Sequence, residues 1–481
     1  MGILRRIIDA FEERTGLLKV MGDIARHPVP PGAGWWYVFG SATLTCFIVQ
    51  VVTGIALATR YISSAGSAYS ALQYITNQAF FGHLLRGMHF YGASLMVAMI
   101  GLHMIQVFRM GCYKYPREFN WITGVFLLAL VIAMGFTGQL LRWDQTAVWA
   151  VVVAAEQAGR VPLIGTALAR FLLGGKTLGG ATLSRFFAFH VFFIPAMIFA
   201  IIGMHLYLVV HDGISEPPVP GEPVDPKTYR ARYEKLLEEK GEPFWPDAAW
   251  RDMVFAAGVV TLIVLLAIFV GPPHLGQPPN PSLLAREPKP DWYLVWYFAV
   301  LALLPHNIEN VFMIVAPMLA GAFLLLVPVI WNKGERHPKN RPWSVAAVIL
   351  IVVSIAAFWI EGQYSPWSPD FSAKALPVSV IGVTSGPVFE GARLFHERGC
   401  EFCHTIAGYG GTRGPNLTYI GDQLTDNDIT IRIMNGGYNM PAFAGILKPR
   451  ELNNLVAFLH SRRYHKLSPA NAIVSKNDPP K

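Results

Sequence analysis

Apolar residues come along this chain in long unbroken runs separated by short polar loops. A bilayer core of about 30 Å takes roughly 20 apolar residues per helix. Seven runs are long enough: Trp35–Thr59, His83–Phe108, Ile122–Leu141, Phe186–Val210, Met253–Gly271, Val311–Trp331 and Ser344–Ile360. An eighth, Leu294–Leu304, is too short to cross and is expected to lie near one surface. Ahead of the first run, Ile3, Leu4, Ile7, Ile8 and Phe11 recur at helical spacing among charges, the pattern of an amphipathic helix on a membrane face.

The expected fold is therefore all-α: a polytopic membrane bundle of seven transmembrane helices with a small all-α soluble domain after it. An amphipathic surface segment covers 1–33, four membrane helices fill 34–211, and three more fill 248–360. Between the two groups, residues 212–247 are rich in Pro, Glu and Lys and form a natural seam. A Pro- and Ser-rich linker over 361–385 leads to the soluble domain at 386–464, with helical stretches Gly386–Arg398 and Pro449–Arg462. Residues 465–481 read as a disordered tail.

Composition supports this division. Of 481 residues, 53 % are hydrophobic and 15 % charged, against about 25 % charged in soluble domains. A net charge of +8 could suggest nucleic acid, but the Lys and Arg form no basic stripe. They gather in short loops, which excludes nucleic acid as the expected partner and leaves lipid. The N-terminal tail (Arg5, Arg6, Arg14, Lys19, Arg26), the second loop (Arg109, Lys114, Arg117) and the sixth (Lys333, Arg336, Lys339, Arg341) share one side, whereas Tyr61–Phe81 has no Lys or Arg. The N-terminus is thus expected in the cytoplasm, and everything after the seventh helix outside it. Arg160, Arg170 and Lys176 in the third loop are a mild exception. No cleavable signal peptide is visible, so the first run reads as a retained helix.

The candidate chemistry lies in histidines and cysteines. His89 and His103 are 14 residues apart in the second run, and His190 and His205 are 15 apart in the fourth. Each pair spans about 21–23 Å along its helix and stays within about 60° of one face. Two packed helices so equipped can clamp two stacked haems by bis-histidine ligation. Proton-relay or plain packing histidines are the bland alternative, but an intramembrane His is functional by default. Gly40 and Gly54 in the first run, and Gly124 and Gly138 in the third, repeat the 14-residue spacing. Small residues at both levels are expected to let a flat macrocycle approach the backbone. Four cysteines are too few for a disulfide framework. Cys400, Cys403 and His404 form a CxxCH motif, which reads as covalent haem c attachment.

The segments TLTCFIVQVVTG, YKYPREFNWITGV, GFTGQLLRWDQTAVWA and TLSRFFAFHVFFIP resemble the cytochrome b of bc complexes. The likeness is greatest to the chloroplast and cyanobacterial branch, where that protein is split in two. GEPFWPD, LGQPPNPS and KPDWY resemble its small second half, so the resemblance covers about residues 1–360. It implies that His89 and His190 share an outer haem b, and His103 and His205 an inner one. It also implies Arg86 near the outer haem propionates. Phe90 and Gln106 stand where the family carries two further arginines, so Lys114 or Arg109 is expected to compensate. His83 and His211, near helix ends, read as ordinary interfacial residues. The branch carries an extra haem on a cysteine early in the first helix. That place is Val38 here, and Cys46 lies about two turns deeper, so no covalent haem is expected on the membrane half.

Pro290, Asp291, Trp292 and Tyr293 match the family signature whose acid takes part in quinol oxidation at the outer surface. The resemblance implies a catalytic Asp291 with Tyr293, an acid able to accept a quinol proton and swing it towards water. Alone, such an Asp would read as a turn residue. The soluble domain, with GCEFCHT, GPNL and NMPAF, resembles a small class I cytochrome c. That likeness implies thioethers from Cys400 and Cys403, axial His404, and Met440 as second ligand ahead of Met434. The function implied is a quinol:cytochrome c oxidoreductase subunit of a bacterial inner membrane, oxidising quinol, with menaquinol favoured by the Asp. One electron crosses two haems b to a cytoplasmic-side quinone, and the other goes to a Rieske iron–sulfur protein and then to the fused haem c. Cys46 and Cys112 carry no Rieske pattern, so that protein must be another chain. Further bc-complex subunits, a homodimer and a downstream cytochrome or terminal oxidase are the other expected partners. A di-haem anchor of another dehydrogenase or reductase is the main rival, but it leaves PDWY, the glycine pairs and the fused haem c unexplained. A transporter with a sensor cytochrome is a second rival.

Overall fold

In a computed structural model the described residues are 2–279, 290–304, 306–364, 370, 372–436, 440 and 442–464. The tail and the last three residues of LGQPPNPS lie outside them. Among the described residues, seven helices are long and apolar enough to cross a membrane. They are α1 (Phe39–Ala58), α2 (Gly82–Arg109), α3 (Glu118–Leu140), α4 (Gly180–Asp212), α5 (Ala249–Phe269), α6 (His306–Ile330) and α7 (Pro342–Tyr364). All seven expected spans are present, with shifted ends. Trp35–Tyr37 forms a separate 3-10 turn ahead of α1. Helix α3 begins four residues before the apolar run, because Glu118 is a favourable first-turn acid.

The described residues fall into two units. In the first, α1 packs on α2, α5 packs against both, and α3 packs on α4. Ala42, Cys46, Phe47, Met96, Ile100, Val131, Ile198 and Ile263 form its core between the ends. Close approach is set by small residues: a Cβ on Gly87 of α2 would sit 2.9 Å from the Ala267 Cβ of α5. At one end, Trp121 Nε1 donates to the Leu324 carbonyl of α6, with Tyr113, Val125 and Val327 around it. The seam between α4 and α5 is not featureless. It holds a helix, Tyr229–Lys240, and the strand Glu242–Pro243, which pairs antiparallel with Pro28–Val29.

In the second unit, Val295–Leu303 forms the short helix expected there, with Val295, Ala299 and Leu301 buried. Gly362 of α7 lies against it, since a Cβ there would come 2.5 Å from Val295 Cγ1. Two helices absent from the sequence reading, Gln145–Gly159 and Gly165–Leu173, occupy most of the loop between α3 and α4. The soluble domain is built on Pro387–Glu397 crossing Pro449–His460. Gly391 permits the crossing: a Cβ would lie 2.0 Å from the Asn454 carbonyl oxygen. Phe395 and Phe458 meet beside it at 5.6 Å. Leu376, Val380 and Ile381 belong to the same apolar core. The domain therefore begins within the stretch read as linker, because its last turn before Ser385 supplies core side chains.

Candidate haem sites and quinol loop

Helices α2 and α4 bring their histidines face to face. The rings of His89 and His190 lie 6.3 Å apart between centroids, with planes at 78°. A metal–imidazole bond of about 2 Å on each side, plus about 1.1 Å from nitrogen to ring centre, asks for about 6.2 Å. This pair therefore has the spacing to clamp one metal between two imidazoles. His103 and His205 are electrostatic neighbours at the second level and line a common cavity of about 440 Å³.

The unequal steps of 14 and 15 residues are reconciled inside α4. Its backbone widens to a π turn over Phe189–Phe193, where the Ile194 N–H reaches back to the Phe189 carbonyl. A π turn takes in one extra residue, so 15 residues with the bulge rotate much as 14 do without it. Sequence spacing alone could not show this.

The glycines stand beside the imidazole rings. A Cβ on Gly54 would lie 3.2 Å from His89 Cε1, one on Gly40 3.3 Å from His103 Cε1, one on Gly138 2.6 Å from His190 Cε1, and one on Gly124 3.7 Å from His205 Cε1. Bare backbone at these four positions thus leaves room for the four imidazole rings.

Sequence reading missed the residue next to three of these glycines. Thr53 Oγ1 lies 2.9 Å from His89 Nδ1, Thr123 Oγ1 2.8 Å from His205 Nδ1, and Thr137 Oγ1 3.2 Å from His190 Nδ1. Each threonine hydroxyl donates to a carbonyl four residues back, at Val49, Phe119 and Ala133. Its proton being so used, the oxygen accepts from Nδ1–H, which leaves the Nε2 lone pair free for a metal. The available signal was a Thr-Gly dipeptide occurring at 53–54, 123–124 and 137–138. Before Gly40 the residue is Phe39, and buried His103 Nδ1 has no hydrogen-bond partner among the described residues.

Arg86 is buried one turn before His89, donating to Thr76 Oγ1 at 3.1 Å and to the Pro273 carbonyl at 2.7 Å. Lys114 does not stand in for a missing arginine. Its ammonium donates to the Trp331 and Lys333 carbonyls at 2.7 and 2.6 Å, fastening the end of α6. Arg109 lies over the Trp36 ring at 4.9 Å, and Gln106 donates to Met110 Sδ at 3.2 Å. Tyr37 Oη and Asn120 Oδ1 are buried polar atoms without a partner among the described residues, and both residues line the second-level cavity. Val38 lines it too, while Cys46 is fully buried in the core. His83 lies beside Gly271 and His211 beside the Asp212 carboxylate, and neither joins the ring pairs.

In the second unit, Asp291 and Tyr293 come together: the Tyr293 hydroxyl donates to Asp291 Oδ2 at 3.1 Å. Burial and the Asp291 carboxylate push the Tyr293 phenol well above its ordinary range, so it stays a donor. In the soluble domain, His404 Nδ1 donates to the Pro415 carbonyl at 2.9 Å, again leaving Nε2 free. Gly414 backs the ring, with its Cβ position 2.6 Å from His404 Cε1. Burial pushes the free Cys400 thiol up to about 12 and also raises Cys403. Met440 packs on the domain core, and Met434 lies half-buried on Asp426–Asn435. The carboxylate of Glu401, inside the CxxCH, is fully buried and held by His396 at 2.7 Å and the Leu376 N–H at 3.2 Å.

Family profiles match in three places: "Cytochrome b/b6/petB" over 24–213, "Cytochrome b(C-terminal)/b6/petD" over 278–376, and "Cytochrome C oxidase, cbb3-type, subunit III" over 387–459. The chain is 38 % identical over 214 residues to cytochrome b6 of Synechococcus elongatus, covering 44 % of this chain and all of that one. It is 40 % identical over 223 residues to the menaquinol:cytochrome c reductase cytochrome b subunit of Bacillus subtilis, covering 45 % of this chain and all of that one. Among solved structures it resembles a hyperthermophilic respiratory Complex III, with TM-score 0.64 and 26 % identity over 75 % of this chain and 92 % of that one.

The contacts of the glycines set an order of tolerance. Gly138→Ala is expected to push His190 aside and lower b-haem content by more than half, whereas Gly124→Ala, at ordinary contact distance, should keep it near normal. Pyridine haemochrome assay of the purified protein reads both, and equal haem content in the two variants would contradict the assignment.

Proposed function

The chain belongs to the cytochrome b/b6 family and carries a fused c-type cytochrome domain, and from that premise we propose that it is the quinol-oxidising subunit of a quinol:cytochrome c oxidoreductase. The observation that carries the reading is the His89–His190 pair, spaced for a metal between two imidazoles. His89 with His190, and His103 with His205, would each hold one haem b. Cys400, Cys403, His404 and Met440 would hold one haem c. When bound, the haems supply one-electron transfer, across the bundle on one branch and to the c domain by way of a separate Rieske protein on the other.

Asp291 accepts a proton from a quinol hydroxyl, and the Tyr293 hydroxyl holds that carboxylate in place. Asp291 is only half-buried, so its proton has a way to water. With the N-terminus in the cytoplasm, as the loop charges favour, this proton leaves on the outer side of a bacterial inner membrane. The second-level cavity, lined by His103 and His205, is the space the second haem b would fill, and Val38 in its wall offers no thioether for a covalent haem; quinone is reduced on that same side of the bundle. Menaquinol is the favoured substrate, in keeping with the Asp in the PDWY loop and with the menaquinol:cytochrome c reductase to which the Bacillus relative belongs. Other bc-complex subunits follow from the family, and a dimer is the expected assembly.

Two measurements test this. Asp291→Asn should lower quinol oxidation by roughly 10² or more, as loss of a general base does, with all haems retained. Near-normal turnover would return Asp291 to the role of a turn residue. Purified from its native membrane with its neighbours, the protein should carry a Rieske-type iron–sulfur signal and yield menaquinone on extraction. Ubiquinone alone, or no such signal, would count against the reading.

A further inference from the structure

The stretch that carries Asp291 and Tyr293 is tied at two points to one helix of its own unit. Helix Gln145–Gly159 buries Ala147, Val151 and Ala155, a stripe at helical spacing. At its start the Gln145 N–H donates to the Gln277 carbonyl at 2.9 Å. Just past its end, Arg160 Nη1 lies 3.5 Å from Glu309 Oε1 in the first turn of α6. Gln277 and Glu309 bracket the quinol loop, so a helix about 22 Å long by its rise per residue joins the two ends of that stretch. Little of either charged side chain is exposed, 12 % for Arg160 and 18 % for Glu309. Each charge sits where a helix dipole favours it, the cation at a C-terminus and the acid at an N-terminus. Arg160 belongs to the third loop, whose cations run against the charge pattern of the others, and Glu309 neutralises it. Removing one partner of so buried a pair leaves the other uncompensated.

A base works only when its oxygen stands within hydrogen-bond reach of the proton it takes, and a misplacement of about 1 Å can cost ~10² in rate. We infer that Arg160 and Glu309 are positioning residues for quinol oxidation. Their ion pair closes the 277–309 stretch onto helix Gln145–Gly159 and so fixes where Asp291 stands towards the quinol hydroxyl. The pair acts through Asp291 and takes no proton itself. The Tyr293 hydroxyl orients the carboxylate within the loop, and the Arg160–Glu309 pair places the loop as a whole. The inference rests on the role proposed above for Asp291.

Steady-state kinetics of the complex purified from its native membrane test it, with a short-chain naphthoquinol as donor, soluble cytochrome c as acceptor and turnover counted per b haem. Arg160→Gln and Glu309→Gln should each lower kcat about tenfold, part of what loss of the base itself would cost. KM should stay within about twofold, and haem content should match the parent. Arg160→Lys keeps the charge and should stay within about twofold of the parent kcat. In an Asp291→Asn background, Arg160→Gln should lower the residual rate by less than about twofold, because nothing is left to position. If Arg160→Gln does not assemble, Glu309→Gln, which removes the charge and keeps the shape, reads the same comparison. A parental kcat in the two neutral variants would overturn the inference, and so would an equal loss in both backgrounds. Normal turnover of Asp291→Asn alone would instead overturn the role of Asp291 on which it rests.

Discussion

Everything in this molecule turns on placing an imidazole ring against a bare stretch of backbone. Each histidine expected to bind haem has a glycine at its side: Gly54 at His89, Gly40 at His103, Gly138 at His190, Gly124 at His205, and Gly414 at His404. A methyl group in those places would meet ring atoms at 2.6 to 3.7 Å. The constraint explains the pairing of helices. Because α1 backs the rings of α2, and α3 backs those of α4, the bundle is two close pairs with the histidines of one facing those of the other. The soluble domain repeats the device on an unrelated scaffold, with the Pro415 carbonyl doing what threonine does in the membrane.

Such an arrangement needs its helix ends held, and the second-level end is fastened by buried charges that are paired and hydrogen-bonded. Arg117, just before α3, donates to the Gly213 and Asp212 carbonyls at the end of α4 and to the Tyr229 hydroxyl. Tyr229 in turn donates to Glu216, which also accepts from Arg336 in the loop between α6 and α7. Removing one partner of a buried pair leaves an uncompensated charge, so this network ties residues 117, 216, 229 and 336 into one unit. His205 lies two turns before the clasp. The ring it carries is thus positioned both by Thr123 beside it and by the ionic fastening beyond it.

What could be read in the sequence was local or periodic. The seven apolar runs, the histidine and glycine spacings, the CxxCH and the PDWY loop all announce themselves within one or two helical turns or at a fixed repeat. What could not be read depends on partners far along the chain. The π turn at Phe189–Phe193 is a backbone response to packing. Lys114 looks like a free cation until the end of α6, more than 200 residues later, offers it two carbonyls. The helices Gln145–Gly159 and Gly165–Leu173, of 15 and 9 residues, fall short of a membrane span and so passed for loop, although Gly174 closes the second in the left-handed region as a stop signal would. The threonines stood in plain view, but their meaning required knowing which ring each would face.

The central claim is that the four membrane histidines act as two pairs of axial ligands, with a fifth histidine and a methionine in the soluble domain. Near-infrared magnetic circular dichroism of the oxidised full-length protein reads axial ligands directly, because bis-imidazole and imidazole–thioether haems give charge-transfer bands at different energies. The account predicts both bands, with two bis-histidine haems for each histidine–methionine haem. A b-haem signal from any other ligand set, or one bis-histidine haem per chain, would contradict it.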